Sequence, residues 1–220
     1  MPKLTSYRRG CKAVGCSMKV LIACEYSGRV RDAFTALGHD AMSCDLLPTD
    51  SAGQHYQGDV FDLDLSQFDL MIAQPPCTYL SASGMHWTTR GLRDAKLTED
   101  SMEFVEKLLN CGIPRIALEN PIGIISSRVR KPEQIIQPYQ FGDDASKKTC
   151  LWLKNLPTLA QSNEVAPRVV ELPNGKIVKR WANQTDSGQN VLGPSEDRWK
   201  LRSITYQGIA NAMASQWGAL

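Results

Sequence analysis

The sequence predicts an α/β fold built on a mostly parallel central sheet. Short apolar runs of strand length alternate with helix-like stretches through the first two thirds of the chain. The runs are apolar throughout, as strands buried on both faces are. The chemically unusual residues follow directly after these runs, where open α/β sheets bind their ligands.

The elements follow in order. Residues 1–17 are polar and aperiodic and read as a flexible arm. Val20-Leu21-Ile22-Ala23-Cys24 is the first strand, and residues 29–37 form a helix stopped by Gly38. Residues 41–45 give a second strand, and Leu70-Met71-Ile72-Ala73 a third that ends at a proline pair. Met102, Val105, Leu108 and Leu109 mark a helix over residues 98–111, with Thr98 as its cap and acidic residues in its first turn. Ile116-Ala117-Leu118 and residues 150–153 are further strands. Past Pro157 the text turns polar, and its clear element is a hairpin in which Val169-Val170 and Ile177-Val178 flank Pro173-Asn174-Gly175. A closing helix spans residues 205–217, with Ile209, Met213 and Trp217 on one face. The expected division is an arm over 1–17, a catalytic and cofactor-binding core over 18–157, a small target-recognition region over 158–203, and a C-terminal segment, 204–220, that completes the core.

With 220 residues, 42% hydrophobic and 22% charged, the chain has the balance of a soluble single domain. No apolar stretch approaches the ~20 residues needed to span a membrane. Lys3, Arg8, Arg9 and Lys12 have no apolar segment behind them, so no signal peptide is read and a cytoplasmic location is expected. The seven cysteines suggest no disulfide framework. Cys24, Cys44, Cys111 and Cys150 lie among apolar neighbours and read as buried thiols. Cys11 and Cys16 are the one close pair, and His39, His55 and His86 are scattered, so no metal site is expected. The net charge of +2 does not by itself declare a nucleic-acid partner. Basic clusters at 128–131, 147–148, 176–180 and 198–202 each read equally as solvated surface; together they suggest a phosphate-contacting face.

Asp45 lies 18 positions after Ser27, near the spacing at which an acidic residue pairs with ribose hydroxyls in nucleotide-binding folds. Ser27-Gly28-Arg29-Val30 has one glycine where a dinucleotide fingerprint has three, which favours an adenosyl ligand without a pyrophosphate, S-adenosylmethionine rather than NAD. Gly58-Asp59-Val60 adds a carboxylate suited to an adenine amino group. In Pro75-Pro76-Cys77 two prolines stiffen the strand end and fix the direction of the next side chain. A cysteine held there is a candidate nucleophile, although a packed free thiol is the common alternative. The small residues from Ser81 to His86 read as a loop able to close over a substrate. Glu119-Asn120-Pro121 supplies a carboxyl group for proton donation to a ring nitrogen, or for capping the next short helix.

The order of these features resembles the DNA cytosine-5 methyltransferase family. Tyr26-Ser27-Gly28 resembles its first cofactor motif, Asp45 and Gly58-Asp59 the next two, and Pro75-Pro76-Cys77 with Ser81 and Gly84 its catalytic motif. Glu119-Asn120 resembles its Glu-Asn-Val motif, Lys147-Lys148-Thr149 its basic motif, and Gly208-Ile209-Ala210-Asn211-Ala212 the motif that returns to the cofactor pocket. The short length and the text from Arg198 to Trp217 resemble a compact phage-borne branch, with a link to restriction-modification. The resemblance implies a Rossmann-like S-adenosylmethionine-dependent methyltransferase fold. It implies catalysis by Cys77, Glu119 and Asn120, and cofactor binding by Tyr26, Ser27, Gly28, Asp45, Asp59, Val60, Pro76, Asn211 and Ala212. Substrate contacts are expected from Pro75, Ser81, Lys147, Lys148, Arg198 and Arg202. The implied partner is DNA with a flipped-out cytosine, bound by a monomer without metal or membrane. Val30, Ala73-Gln74, Pro121 and the lysine pair depart from the family pattern, and the 46 residues of 158–203 predict a short or relaxed sequence preference.

Two kinds of alternative stand beside this one. A free cytosine nucleotide or a modified donor would use the same nucleophile. An amino-methyltransferase carries a proline pair but an aromatic at the position of Cys77. A non-catalytic DNA-binding or anti-restriction decoy would keep the fold without needing Cys77, Glu119 and Asn120 together.

Overall fold

The first strand, β1 (Lys19–Ala23), sends Val20 and Ile22 to one side of a sheet and Leu21 and Ala23 to the other, and a separate apolar core forms on each side. In the computed structural model, which describes residues 17–220, this sheet has seven strands in the order β3-β2-β1-β4-β5-β7-β6. The others are β2 (Asp40–Asp45), β3 (His55–Gln57), β4 (Leu70–Ala73), β5 (Arg115–Pro121), β6 (Gln134–Ile136) and β7 (Thr149–Lys154). β3, β2, β1, β4 and β5 are parallel neighbours, and β7 runs antiparallel between β5 and β6. The architecture is therefore α/β with a mostly parallel central sheet, compatible with a Rossmann-like fold.

One face is covered by α1 (Arg29–Ala36) and α6 (Gln207–Trp217), which bring Val30, Phe34, Ile209, Met213 and Trp217 onto Val20, Ile22, Leu70 and Ile72. The buried Trp217 ring anchors the chain end, and its Nε1 donates to the Pro157 carbonyl oxygen at 2.9 Å. The other face is covered by α3 (Ala95–Leu109), whose Met102, Val105, Leu108 and Leu109 pack on Leu21, Met71, Ile116 and Leu118. Burying one such side chain contributes about 1.5–3 kcal/mol, so these two stripes dominate the stability of the layers.

The strand order reverses between β1 and β4, which creates the switch-point crevice where open sheets bind ligands. A buried arginine shapes the crevice's flank. Arg31 is fully buried in α1, and its guanidinium donates to Ser43 Oγ (3.1 Å), Ser51 Oγ (2.6 Å), the Ala52 carbonyl oxygen (3.0 Å) and Asp32 Oδ1 (2.8 Å). It thereby pins the loop between β2 and β3 to the first helix.

Several boundaries differ from the sequence reading. The third helix begins at Ala95, capped by Asp94, whose Oδ1 accepts from Lys96 N at 2.9 Å; Thr98 lies inside it, buried. Asp94 is the better cap because its carboxylate also meets the positive end of the helix dipole. β5 runs on through Glu119, Asn120 and Pro121 because β7 pairs with it as far as Pro121 opposite Thr149, so these residues sit within the strand and not after it. Residues 82–89 form α2 (Ala82–Thr89), not an open loop, and a short helix, α4 (Ile125–Arg128), follows β5. β3 and β6, three residues each and partly polar, carry no apolar run to betray them. Cys24 and Cys111 are half-buried, whereas Cys44 and Cys150 are buried. The expected arm, except Ser17, and the Cys11–Cys16 pair lie outside the described residues. Among the described residues no group of three or more His, Cys, Asp or Glu side chains is placed to hold a metal, and no helix is long and apolar enough to cross a membrane.

Replacing Arg31 with leucine strands the Ala52 and Ser51 acceptors and leaves Asp32 unpaired. Urea unfolding of Arg31→Leu is expected to show a loss of about 3 kcal/mol, the scale for breaking a buried charge network; an unchanged midpoint would contradict the role given to this residue.

Candidate functional site

β4 ends at Ala73, and Gln74, Pro75 and Pro76 carry the chain over the carboxyl edge of the sheet into a 3-10 turn, Cys77–Tyr79. Neither proline can donate to the sheet, so pairing stops and the chain must leave it. The turn is closed by Leu80 N and Ser81 N, which donate to the Cys77 carbonyl oxygen at 3.1 and 2.9 Å. Cys77 itself is exposed. α2 then packs tightly against the turn: a Cβ on Gly84 would collide with the Thr78 carbonyl oxygen.

The neighbouring strand holds this turn in place. Asn120, 1% exposed, donates from Nδ2 to the Pro75 carbonyl oxygen at 2.8 Å. Its Oδ1 is buried without a hydrogen-bond partner among the described residues. One residue earlier on β5 lies Glu119, also buried. Burial pushes the Glu119 carboxyl above its usual range, opposed by the charge of Lys147. Enclosure by protein raises the Cys77 thiol; Lys147 pulls it back, Glu119 adds to the rise, and Arg202 lowers it slightly. The charge of Lys147 acts on both groups, and Lys147 Nζ donates to the Arg202 carbonyl oxygen at 3.0 Å. Of the predicted basic residues, Lys147 and Arg202 thus reach the Cys77 site. Lys148 is exposed, and Arg198 opens a short helix, α5 (Arg198–Ser203), with its Nε buried and unpartnered.

Beside this turn lies a cavity of about 370 Å³ at the switch point. Asp45, Asp59, Val60 and Pro76, four of the nine residues expected around a cofactor, line it, together with Pro75, which was expected at the substrate. Asp45 is held above its usual range by burial, against the pull of its hydrogen bond from Leu47 N at 2.9 Å. Asp59 Oδ1 accepts from Phe61 N at 3.0 Å. Cys24 and Cys44 form part of the wall, and burial raises both thiols, Cys44 to about 12. Another wall comes from α3 through Leu97, Asp100, Ser101 and Phe104. Sequence reading missed this contribution. The signal was a second face of α3, at helical spacing beside the stripe that packs on the sheet.

Five expected cofactor residues lie elsewhere. Tyr26 is buried with its hydroxyl on the Lys200 carbonyl oxygen (2.6 Å) and Ser203 Oγ (3.1 Å), outside the cavity lining. Ser27 turns back to Glu25 Oε1 at 3.2 Å. Gly28, at φ +73°, is needed because a Cβ would strike Ser51 and Arg31, so it serves packing. The N-terminus of α1 is already filled: Glu25, 2% exposed, accepts from Val30 N at 2.7 Å and Arg31 N at 3.2 Å. Asn211 and Ala212 also fall outside the lining. Asn211 is exposed on α6, and Ala212 is buried in the core shared with α1, because the apolar face of α6 must turn to that core. Ser81, expected at the substrate, is 7% exposed and caps α2 by accepting from Gly84 N at 3.2 Å.

The arrangement joins an accessible thiol, a buried carboxyl group that resists ionisation, a lysine whose charge acts on both, and an acidic, largely apolar cavity. Peptide-resolved iodoacetamide labelling across pH is expected to give Cys77 a midpoint above that of an ordinary thiol. Removing the adjacent cation in Lys147→Gln disfavours the thiolate, so the midpoint should move higher still; a fall would contradict the assigned geometry. The chain matches no protein-family model, and no curated protein matches it.

Proposed function

We propose that this protein is a DNA cytosine-5 methyltransferase that uses S-adenosylmethionine, with a Rossmann-like methyltransferase core. The observation that carries the reading is that the Asn120–Pro75 hydrogen bond ties the segment leading into the Cys77 turn to the strand that carries the buried Glu119. A packed structural thiol needs neither an exposed position nor a buried acid and a cation next to it.

The cavity supports the choice of cofactor. Its volume, about 370 Å³, is within the range of small-molecule sites. Asp45 and Asp59 offer acceptors for ribose hydroxyls and an adenine amino group, and Val60, Pro76 and Phe104 offer apolar surface for a ring. A dinucleotide would need the α1 N-terminus for its pyrophosphate, and Glu25 occupies that position with a carboxylate. A ligand with an adenosyl group and no phosphates fits these constraints. When bound, S-adenosylmethionine supplies an electrophilic methyl group.

The chain's own residues supply the rest. The Cys77 thiolate adds to carbon 6 of a cytosine, which raises electron density at carbon 5. Glu119, kept protonated by burial, gives its proton to N3 and stabilises the adduct. Asn120 keeps the Pro75-Pro76 segment in position so that the thiol meets the ring. After carbon 5 is methylated, loss of its proton expels Cys77, and the N3 proton returns to Glu119. Lys147 stabilises the thiolate before attack. In a duplex the target base must be extruded first, at a cost of a few kcal/mol. Arg202 and Lys148 supply positive charge near the same edge for the strand that carries it.

Incubation with S-adenosylmethionine and DNA of varied sequence is expected to yield 5-methylcytosine by nucleoside mass spectrometry. Cys77→Ala should abolish it, and Glu119→Gln should slow it by about a hundred- to ten-thousandfold, the usual worth of a positioned acid. DNA without methylated cytosine across all sequences, or full activity in Cys77→Ala, would contradict the proposal.

A further inference from the structure

Tyr26 does not line the cavity, although it is 5% exposed and sits just past β1 at the switch point. Its surroundings give it a different task. The hydroxyl donates to the Lys200 carbonyl oxygen at 2.6 Å and is bonded to Ser203 Oγ at 3.1 Å. Ser203 Oγ donates to the same carbonyl oxygen at 2.7 Å. Lys200 Nζ lies 5.0 Å from the centre of the Tyr26 ring and donates to Asp50 Oδ1 at 2.9 Å. Tyr26 therefore holds α5 through both the main chain and the side chain of Lys200.

α5 depends on such fastening. It has six residues, none of them buried, and both Trp199 and Leu201 are exposed. A helix this short is not stable by itself, and this one has no buried apolar face to hold it. The chain after α5 is tied down separately: Gln74 Nε2 donates to Thr205 Oγ1 at 2.7 Å, and Arg29 Nη1 to the Thr205 carbonyl oxygen at 3.4 Å. Residues 200–205 thus run as a strap over the carboxyl ends of β1 and β4. Between these ties, the Arg202 carbonyl oxygen accepts from Lys147 Nζ at 3.0 Å. Lys147 stands two residues before Thr149, which pairs with Pro121 at the end of β5, the strand of Glu119 and Asn120. A lysine side chain is flexible and keeps one position only where an acceptor holds its ammonium group.

We propose that Tyr26 is a positioning residue for Lys147: it holds α5, α5 presents the Arg202 carbonyl oxygen, and that oxygen keeps the Lys147 ammonium group at the Cys77 edge of the sheet. Its consequence for methyl transfer rests on the function proposed above; the positioning itself does not. The charged groups that bear on Cys77 are Lys147, Glu119 and Arg202, and the two cations favour the thiolate. α5 carries Arg202 and holds Lys147, so its placement governs both. Burial raises the Tyr26 hydroxyl, which therefore stays a donor.

The test is the rate at which iodoacetamide labels Cys77 in the full chain at neutral pH, read by peptide mass spectrometry. Labelling follows the thiolate fraction, so Tyr26→Phe is expected to slow it roughly threefold. In a Lys147→Gln background the same substitution should add little, because the charge that Tyr26 positions is already gone. Tyr26→Phe keeps the ring, so its urea midpoint should stay close to that of the wild type. A wild-type labelling rate in Tyr26→Phe would overturn the proposal, and a weakened Kd for S-adenosylmethionine alongside it would return the residue to the cofactor. An equal fall in both backgrounds would also overturn it, since a general loosening of the fold produces that pattern. Slower labelling in a protein that methylates no DNA would keep the positioning role while sinking the methyltransferase reading, so the two failures are distinguishable.

Discussion

The hydrogen bond from Asn120 Nδ2 to the Pro75 carbonyl oxygen is the constraint on which the site depends. Pro75 and Pro76 end the pairing of β4; before them Gln74 N donates to the Ala23 carbonyl oxygen, and past the turn Ile124 N donates to the Leu80 carbonyl oxygen and Ala82 N to that of Ile122, so Asn120 holds the stretch between. Asn120 fastens that segment to β5, the strand that carries Glu119. A buried side-chain amide does this well, because in a low-dielectric setting its donor has no competing water. The same burial leaves Asn120 Oδ1 without a partner among the described residues, at a cost of about 1–3 kcal/mol that a purely structural residue would not incur. A local rule broken in this way is common where function, and not stability, selects the residue.

A second frame lies on the other side of the switch point. Glu25 neutralises the positive end of α1, and Arg31, one turn on, gathers the loop between β2 and β3. Together they turn what would be an anion site into a filled, self-contained corner. The cavity next to it keeps its own carboxylates, Asp45 and Asp59, and both adjacent thiols are held protonated by burial. The proposed ligand class rests on this balance, which favours hydrogen-bond donors and an apolar ring over phosphates.

The sheet was legible because β1, β4 and β5 are buried on both faces and therefore read as unbroken apolar runs. Asp45, Asp59, Val60 and Pro76 were legible because strand ends gather at one edge whatever the loops do. Tyr26, Ser27 and Gly28 went elsewhere because a motif's spacing says nothing about Arg31, whose buried guanidinium needs the space beside Gly28. Asn211 and Ala212 failed for a similar reason: the hydrophobic face of α6 dictates its docking on α1 and turns those residues away. Ser81 belonged to a helix start, a role that its Ser-x-x-Gly context did not advertise. The influence of Lys147 on Cys77 and Glu119 joins residues far apart in the chain and arises because β7, which follows Lys147, inserts antiparallel beside β5.

The central claim is that the Cys77 sulfur becomes bonded to a cytosine ring. Trapping on DNA that carries 5-fluorocytosine, in the presence of S-adenosylmethionine, tests it most directly, since fluorine at carbon 5 blocks the step that releases the enzyme. The account predicts a complex that survives denaturation and maps by peptide mass spectrometry to the segment containing Cys77. No covalent complex, or one mapped to another cysteine, would contradict it.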